Sequence, residues 1–422
     1  MKLPKNKHMR RILAAQLPAD FADWLDYVAI ISLFTYAWQV DPVYFAWFIV
    51  ALTLPYVFIG PFSGALVDRL DIRTVMVLSN LGRAITTFAL AFAGQPEIML
   101  ALVAFRGVVD SFFSPAKQVA IQALSERDEL MSTNGFSHII NQMSKVAGPA
   151  VGGALLLIIS PQMVFVVNGV ISLCAVLILM TLPRNIREVK KLEDGEAKKS
   201  MFAEAGEGFK VVLAKPALWV TIGLGAMGFF AIFLHDTLIG PMTRELGFGE
   251  NILGLSIAAV GAGGVAGALT IGSIKKQIHP YLIIGPAMMI VALFTAGLGL
   301  IAINGWSIPY YAFVAAFFTV GVIGAGTFVP LRTVLQLETP PDKMGRVTAV
   351  NEMTSIVAML GAPFIGATLA AIYELGVPFI AGGALAFVIG IIALILIRFV
   401  KFSSPTEVEE ETADLPNAEE SV

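Results

Sequence analysis

The chain has 422 residues, of which 57% are apolar and 14% charged, with a net charge of −3. Soluble domains carry about 25% charged residues, so this composition excludes an ordinary soluble protein and calls for a bilayer. The lone Cys174 excludes an internal disulfide framework, and with four scattered histidines it excludes a Cys/His metal cluster; no cofactor or metal is expected.

Twelve apolar runs begin near Leu13, Val43, Thr74, Ile98, Ser137, Met163, Leu218, Ile252, Tyr281, Ile308, Thr348 and Val377. A spanning helix needs roughly 20 apolar residues, and twelve of them leave enough chain for short loops, one linker and two tails. Cytoplasmic loops carry the positive charge. The odd-numbered breaks, such as Gly94 to Glu97, Ser160 to Gln162 and Asn304 to Trp306, lack Lys and Arg, and only Arg244 falls on that side. Both termini are therefore expected in the cytoplasm. Lys2, Lys5, Lys7, Arg10 and Arg11 precede the first run as they would in a signal peptide. That run holds three Asp and no small-residue cleavage site, so it reads as a retained first span.

In span 1, Asp20, Asp23 and Asp26 recur at intervals of three, with Tyr27 four after Asp23. At about 100° per residue they share one helix face. A charge near the bilayer centre costs at least ~2.5 kcal/mol, so such carboxylates face a watery cavity or a partner. Either Asp23, with Asp20 or Asp26, exchanges a proton, or these groups sit in water or pair with Arg83 or Arg106. The stretch Pro55 to Arg73 runs from an apolar Gly/Pro-rich helix end into Asp68, Arg69, Asp71 and Arg73. Span 4 carries Arg106 and Asp110, four apart on one face, either a static pair or one that breaks when Asp110 takes a proton.

Span 5 reads Gly148-Pro149-Ala150-Val151-Gly152-Gly153, in which Pro kinks the helix and the glycines permit close helix approach. Lys145, one turn earlier, is either a snorkelling cation or a cavity charge. A charged linker follows, 183–216, ending in a short amphipathic helix through Phe202, Phe209 and Val212. In span 7, His235 and Asp236 are conspicuous; they serve coupling or face an outer vestibule. Gly261 to Gly267 lacks a strand and a P-loop Lys and reads as a packing face. Phe113-Ser114-Pro115-Ala116-Lys117 is echoed by Phe328-Val329-Pro330-Leu331-Arg332, and Gly148-Pro149 by Gly361 and Pro363. The acidic tail from Ser403 is expected to be disordered. Four segments result: 1–182, the linker 183–216, 217–402 and the tail 403–422.

The spacing of Gly64, Asp68, Arg69 and Arg73 resembles the major facilitator motif G-x-x-x-D-R-x-G-R-[RK]. Asp71 stands at its second Gly and Ile72 at its following Arg. The surrounding Pro55-Tyr56, Gly60-Pro61 and Leu66-Val67 are similar to the macrolide-efflux and enterobactin-export branch, in which an acidic residue sits at the position of Asp23. Gly148, Pro149, Gly152 and Gly153 match the G-P-x-x-G-G core that this superfamily associates with antiporters. Arg106 resembles the arginine of the helix 4 motif R-x-x-x-G, with Asp110 at its Gly.

The resemblance implies an all-α membrane protein of twelve transmembrane helices in two six-helix bundles related by a parallel repeat, the major facilitator fold. It further implies a monomeric secondary transporter of the bacterial inner membrane, exporting an amphipathic drug, macrolide or siderophore against protons. The gating loop would latch the cytoplasmic side. Frequent aromatics, among them Phe34, Trp38, Phe113, Phe229 and Phe317, are available to hold such a compound. Phe113 to Lys117 also resembles lysophospholipid flippases of the same superfamily, which leaves lipid transport as the alternative. A membrane enzyme would need a nucleophile-base or metal set beside the carboxylates, and none is visible.

Overall fold

A computed structural model describes residues 4–67, 70–125, 129–184, 186, 209–273, 278–339 and 343–400. The helices are α1 Lys7–Ser32, α2 Pro42–Val67, α3 Ile72–Leu90, α4 Pro96–Asp110, α5 Phe113–Leu124, α6 Leu130–Leu155 and α7 Pro161–Met180 in the first half. The second half holds α8 Pro216–Phe233, α9 Ile239–Glu245, α10 Glu250–Gly272, α11 Tyr281–Ile303, α12 Tyr310–Glu338, α13 Met344–Ile372 and α14 Gly376–Leu396. Among the described residues, nine segments are long and apolar enough to cross a bilayer. Helices α1, α3 and α6 occupy the three remaining predicted runs and are more polar, because they bury polar stripes inside the protein. In α3 the stripe Ser79, Asn80, Arg83, Thr86 and Thr87 is buried at helical spacing, while Leu78 and Ile85 stay exposed on the opposite face.

Two predicted spans are interrupted. Span 4 breaks between Asp110 and Phe113, so α4 and α5 share it. Span 7 breaks after Phe233 into a 3₁₀ turn, Asp236–Leu238, which places His235 and Asp236 in the break rather than inside a helix. Helix α1 ends in a π turn, Leu33–Ala37, followed by Gln39 in the left-handed region. Most of the linker and the tail lie outside the described residues. Its last part, 209–214, is helical, and Val212 is buried with Leu218, Ile222, Val347 and Val350.

Each half packs as its own bundle. In the first, α1 lies against α6 and α7, and α3 against α4 and α7; in the second, α11 lies against α14 and α10 against α12. Small residues set the closest approaches. A Cβ on Gly263 or Gly267 of α10 would meet the carbonyl of Phe318 or Val322 on α12 at 2.1 and 2.2 Å, so the glycine run is a helix-packing face.

One face of the molecule gathers helix ends and basic side chains. There Arg11 donates to the Thr181 carbonyl at 2.8 Å, Arg73 to that of Met180 at 2.5 Å, and Lys215 to that of Glu338 at 3.0 Å. These bonds stay within one half. At the opposite face the halves are joined: Tyr36 donates to the Phe248 carbonyl at 3.1 Å, Arg244 to that of Thr35 at 2.9 Å, and Ser32 to the Glu250 carboxylate at 2.5 Å. The backbones of α6 and α10 touch at Gly153 and Gly254, where an added Cβ would lie 2.2 and 2.4 Å from the facing carbonyl. Trp47 of α2 meets Phe364 of α13 edge-on at 5.3 Å. The described protein is thus sealed at the face away from its basic loops.

Widening the Gly254 contact should unseal this face. With Cys174 replaced by Ser and spin labels on Val40 and Glu374, which flank the cleft between the halves, Gly254→Val should lengthen the distance distribution by several ångströms relative to Gly254. An unchanged distribution would show that the glycine pair does not set the closure.

Candidate functional site

The five charged residues that recur in spans 1, 3 and 4 converge. Asp23 and Asp26 come from α1, Arg83 from the buried stripe of α3, Arg106 and Asp110 from α4. Both arginine heads contact Asp23, Arg106 at 2.5 Å, and Arg106 also binds Asp26. Asp110 lies on the far side of both guanidinium groups, 3.7 Å from Arg83 Nε and 3.5 Å from Arg106 Nε. Its ion pair with Arg106 is therefore the weaker part of a wider network, since the terminal nitrogens of Arg106 point across to α1.

Burial separates the three carboxylates. The side chains of Asp26 and Asp110 are 3% and 7% exposed, whereas that of Asp23 is 41% exposed. Three carboxylates face two guanidinium groups, so the cluster carries one surplus negative charge when all five are ionised. Isolated buried ions cost several kcal/mol each, and such a group persists only where charges are mutually paired.

Two neutral residues complete the site and were not singled out from the sequence. Asn168 of α7 donates through Nδ2 to Asp26 Oδ1 at 2.6 Å and to the Ala22 carbonyl at 2.8 Å, and Thr87 of α3 reaches Asp26 at 3.4 Å. A lone Asn in an apolar run was the available signal. Tyr56 of α2 lies within the field of Asp110, Asp23 and both arginines.

Asp20 does not join this cluster. One turn toward the basic face, its carboxylate accepts from Gln16 Nε2 at 2.8 Å and Asn141 Nδ2 at 3.4 Å, and Gln16 is held in turn by Ser137. The shared face predicted for the three Asp is divided because amide donors from α1 and α6 capture the first. Lys145 is exposed on α6, within the field of Asp20, Arg332 and Glu352.

Gly148 and Gly152 seat α6 on α1: a Cβ on Gly148 would lie 2.6 Å from Trp24 Cβ, and one on Gly152 3.3 Å from Val28. Pro149 lies within α6, and Gly153 faces α10. In the loop motif, Gly64 is part of α2, whereas Asp68 and Arg69 lie outside the described residues. Asp71 is the N-cap of α3, accepting from the Thr74 amide at 2.9 Å. This residue gives the departure from the loop motif a structural use, because a carboxylate satisfies helix-terminal N–H groups that Gly cannot. Arg73 is tied to α7 as above.

Asp236 accepts from the Tyr27 hydroxyl at 3.0 Å, a bond between the halves. His235 does not look out onto a vestibule. Its ring stacks on Phe379 at 5.0 Å, its Nδ1 is buried with no hydrogen-bond partner, and Gly382 leaves the space it fills.

The chain is similar to several known proteins. The sequence profile described as Major Facilitator Superfamily matches residues 12–355. The chain is 27% identical over 398 residues to the "Uncharacterized MFS-type transporter YfiS" of Bacillus subtilis (strain 168), covering 92% of this chain and 93% of that protein. It is 22% identical over 353 residues to "Macrolide efflux protein A" of Streptococcus pyogenes, covering 80% and 84%. Among solved structures it resembles a POT family transporter in complex with 5-aminolevulinic acid, with a TM-score of 0.70, 12% identity and coverage of 94% and 97%. That likeness shows the fold.

If Asn168 holds Asp26 in register, Asn168→Ala should cost about 2 kcal/mol, the range of a hydrogen bond to a charged group, in denaturant titrations of the protein in micelles. Thr87→Ala, which removes only a 3.4 Å contact, should cost less than half as much. Equal costs would show that the Asn168 bond does not hold Asp26.

Proposed function

Since the chain belongs to the Major Facilitator Superfamily, a family of transporters rather than enzymes, we propose that it is a proton-coupled exporter of amphipathic small molecules working by alternating access. The observation that carries this reading is the surplus carboxylate of the buried network, with Asp23 the one partner open to water. A proton on Asp23 balances three carboxylates against two arginines. It also removes the charge that draws Arg83 onto α1 and leaves Arg106 held there by Asp26 alone.

The sequence of events follows from these contacts. With Asp23 ionised, α1 is tied to α3 and α4, and the cavity opens toward the basic face to admit a compound. Tyr27, four residues along α1, is bonded to Asp236 across the halves, so a shift of α1 is felt at the seal of the opposite face. The protein then rocks, releases the compound outside, takes up a proton at Asp23, and returns.

In this reading the halves 1–182 and 217–402 move as bundles joined by the linker 183–216. The basic face and both termini are cytoplasmic at the bacterial inner membrane, and the protein acts as a monomer. The loop Gly64 to Arg73 latches the cytoplasmic side when the outer face is open. Gly148 and Gly152 seat α6 closely on α1 and Gly153 seats it on α10, with Pro149 between them, contacts that such rocking requires and in keeping with the antiporter-like spacing of the four. The similarity to a macrolide efflux protein supports export of a large amphipathic compound.

Inside-out vesicles acidified internally, offered a panel of anionic, neutral and cationic amphipathic fluorophores, test the reading. The parent protein should accumulate at least one of them in a gradient-dependent way, and Asp23→Asn should lose at least about ten-fold of that rate while remaining inserted at parental levels. Parental gradient-driven transport by Asp23→Asn would overturn the role of Asp23. No transport of any fluorophore by the parent would overturn broad efflux and make lysophospholipid uptake the reaction to examine.

A further inference from the structure

The bond between Tyr27 and Asp236 joins the two halves without an arginine or a lysine. The Tyr27 hydroxyl donates to Asp236 Oδ2 at 3.0 Å, and the Tyr27 ring is held by Trp24 and Phe48, with centroids at 5.9 and 5.5 Å. Asp236 opens the 3₁₀ turn that interrupts span 7, so the break in the helix sets its position. Along α1, Ser32, Thr35 and Tyr36 follow Tyr27 by five to nine residues, roughly 8 to 14 Å at 1.5 Å per residue. Their bonds to Glu250, Arg244 and Phe248 belong to the seal between the halves. Asp236 therefore lies beneath the seal.

Nothing around Asp236 supplies a positive charge. The turn packs against α2, α8 and α9, and among the described residues Tyr27 is the one ionisable side chain brought to its carboxylate. His235, next in the chain, lays its ring on Phe379 and keeps a buried Nδ1 without a partner. Arg244, eight residues on in α9, is engaged by the Thr35 carbonyl. Helices α13 and α14 reach the break through glycines: a Cβ on Gly382 would lie 2.6 Å from the Ala231 carbonyl, and one on Gly366 would meet that of Leu234. Asp236 thus has no ion pair among the described residues. Asp23 differs in both respects, since it is open to water and held by two guanidinium groups. One hydroxyl donor compensates little of what an ionised carboxylate loses on leaving water, whereas a neutral carboxyl has much less to lose.

We infer that Asp236 is a second proton-binding site, which takes a proton from the outer solution when the outer face closes and returns it when that face opens. The proton comes from and goes back to the same side. This site therefore moves no net charge across the membrane and does not drive export. The closed state holds a proton that the open state lacks, so raising the pH favours opening, by up to about ten-fold in the open-to-closed ratio per pH unit. External acidity thus acts on the gate separately from Asp23. The inference rests on the alternating-access reading above and not on coupling through Asp23.

The test uses the full chain in nanodiscs with Asp23→Asn as the background, which takes Asp23 out of the titration. Near neutral pH, infrared difference spectra should show a protonated-carboxyl band in Asp23→Asn that Asp23→Asn/Asp236→Asn lacks. Spin labels on Val40 and Glu374, with Cys174 replaced by Ser, then follow opening. Between about pH 5.5 and about pH 8.5 the open fraction should rise at least about five-fold in Asp23→Asn and less than about two-fold once Asp236→Asn is added. Asp236→Glu in the same background should keep the rise, and closed-state distances at the acid end show that each variant is folded. Infrared spectra that Asp236→Asn leaves unchanged, or an open fraction in Asp23→Asn that ignores pH, would overturn the inference. A pH response lost in Asp23→Asn but kept in Asp236→Asn would also overturn it and leave coupling through Asp23 standing. A response kept in Asp23→Asn, together with gradient-driven export by that variant in vesicles, would uphold Asp236 and count against Asp23.

Discussion

Two arginines inside a bundle of apolar helices must be paired, and nearly every feature of the first half follows from how they are. The Coulombic attraction that holds Arg83 and Arg106 to Asp23 and Asp26 must offset the desolvation of the whole cluster, and a buried pair that loses one partner costs about 3–5 kcal/mol. That exceeds what a single helix–helix contact contributes. Register of α1 against α3 and α4 is accordingly fixed by charge, while glycines on α6 let the backbone of α1 come close on its other side. Asn168 then anchors the deepest carboxylate from α7.

The second half is built on a different basis. Its helices α10 and α12 approach through glycines and carbonyls, and its inward-facing chemistry is aromatic and sparsely charged. The second half thus lacks a counterpart of the Asp23 network among the described residues, although the repeat keeps a basic residue at Lys117 and Arg332. An electrostatically stiff bundle is set against one whose contacts are mostly dispersion, and the two meet through backbone groups and a few hydrogen bonds at one face. Altering protonation in the stiff bundle changes forces along α1, the helix whose bonds reach Asp236, Glu250 and Phe248.

Much of this was legible in the sequence. Hydropathy located the spans, and the loop and glycine motifs pointed to the superfamily. The charged residues that now share a cluster were the ones whose positions inside apolar runs made them expensive. What the sequence did not disclose is contact at a distance. Asn168 lies 142 residues from Asp26, and no periodicity links them. The separation of Asp20 from its neighbours depends on amide donors on α1 and α6, invisible to a face argument made on one helix. The breaks after Asp110 and Phe233 were hidden because a broken apolar run has the same length and composition as a continuous one.

The polarity of α1 bears on how the protein is made. It is not among the segments apolar enough to cross a bilayer unaided, and each intramembrane Asp adds about 2.5–3.5 kcal/mol to the cost of insertion. The compensating arginines arrive later, since Arg83 and Arg106 follow their Asp partners by 60 to 83 residues. Without those guanidinium groups, nothing of opposite charge offsets the cost of placing the α1 carboxylates in lipid. The charge network thus bears on insertion as well as on the folded state.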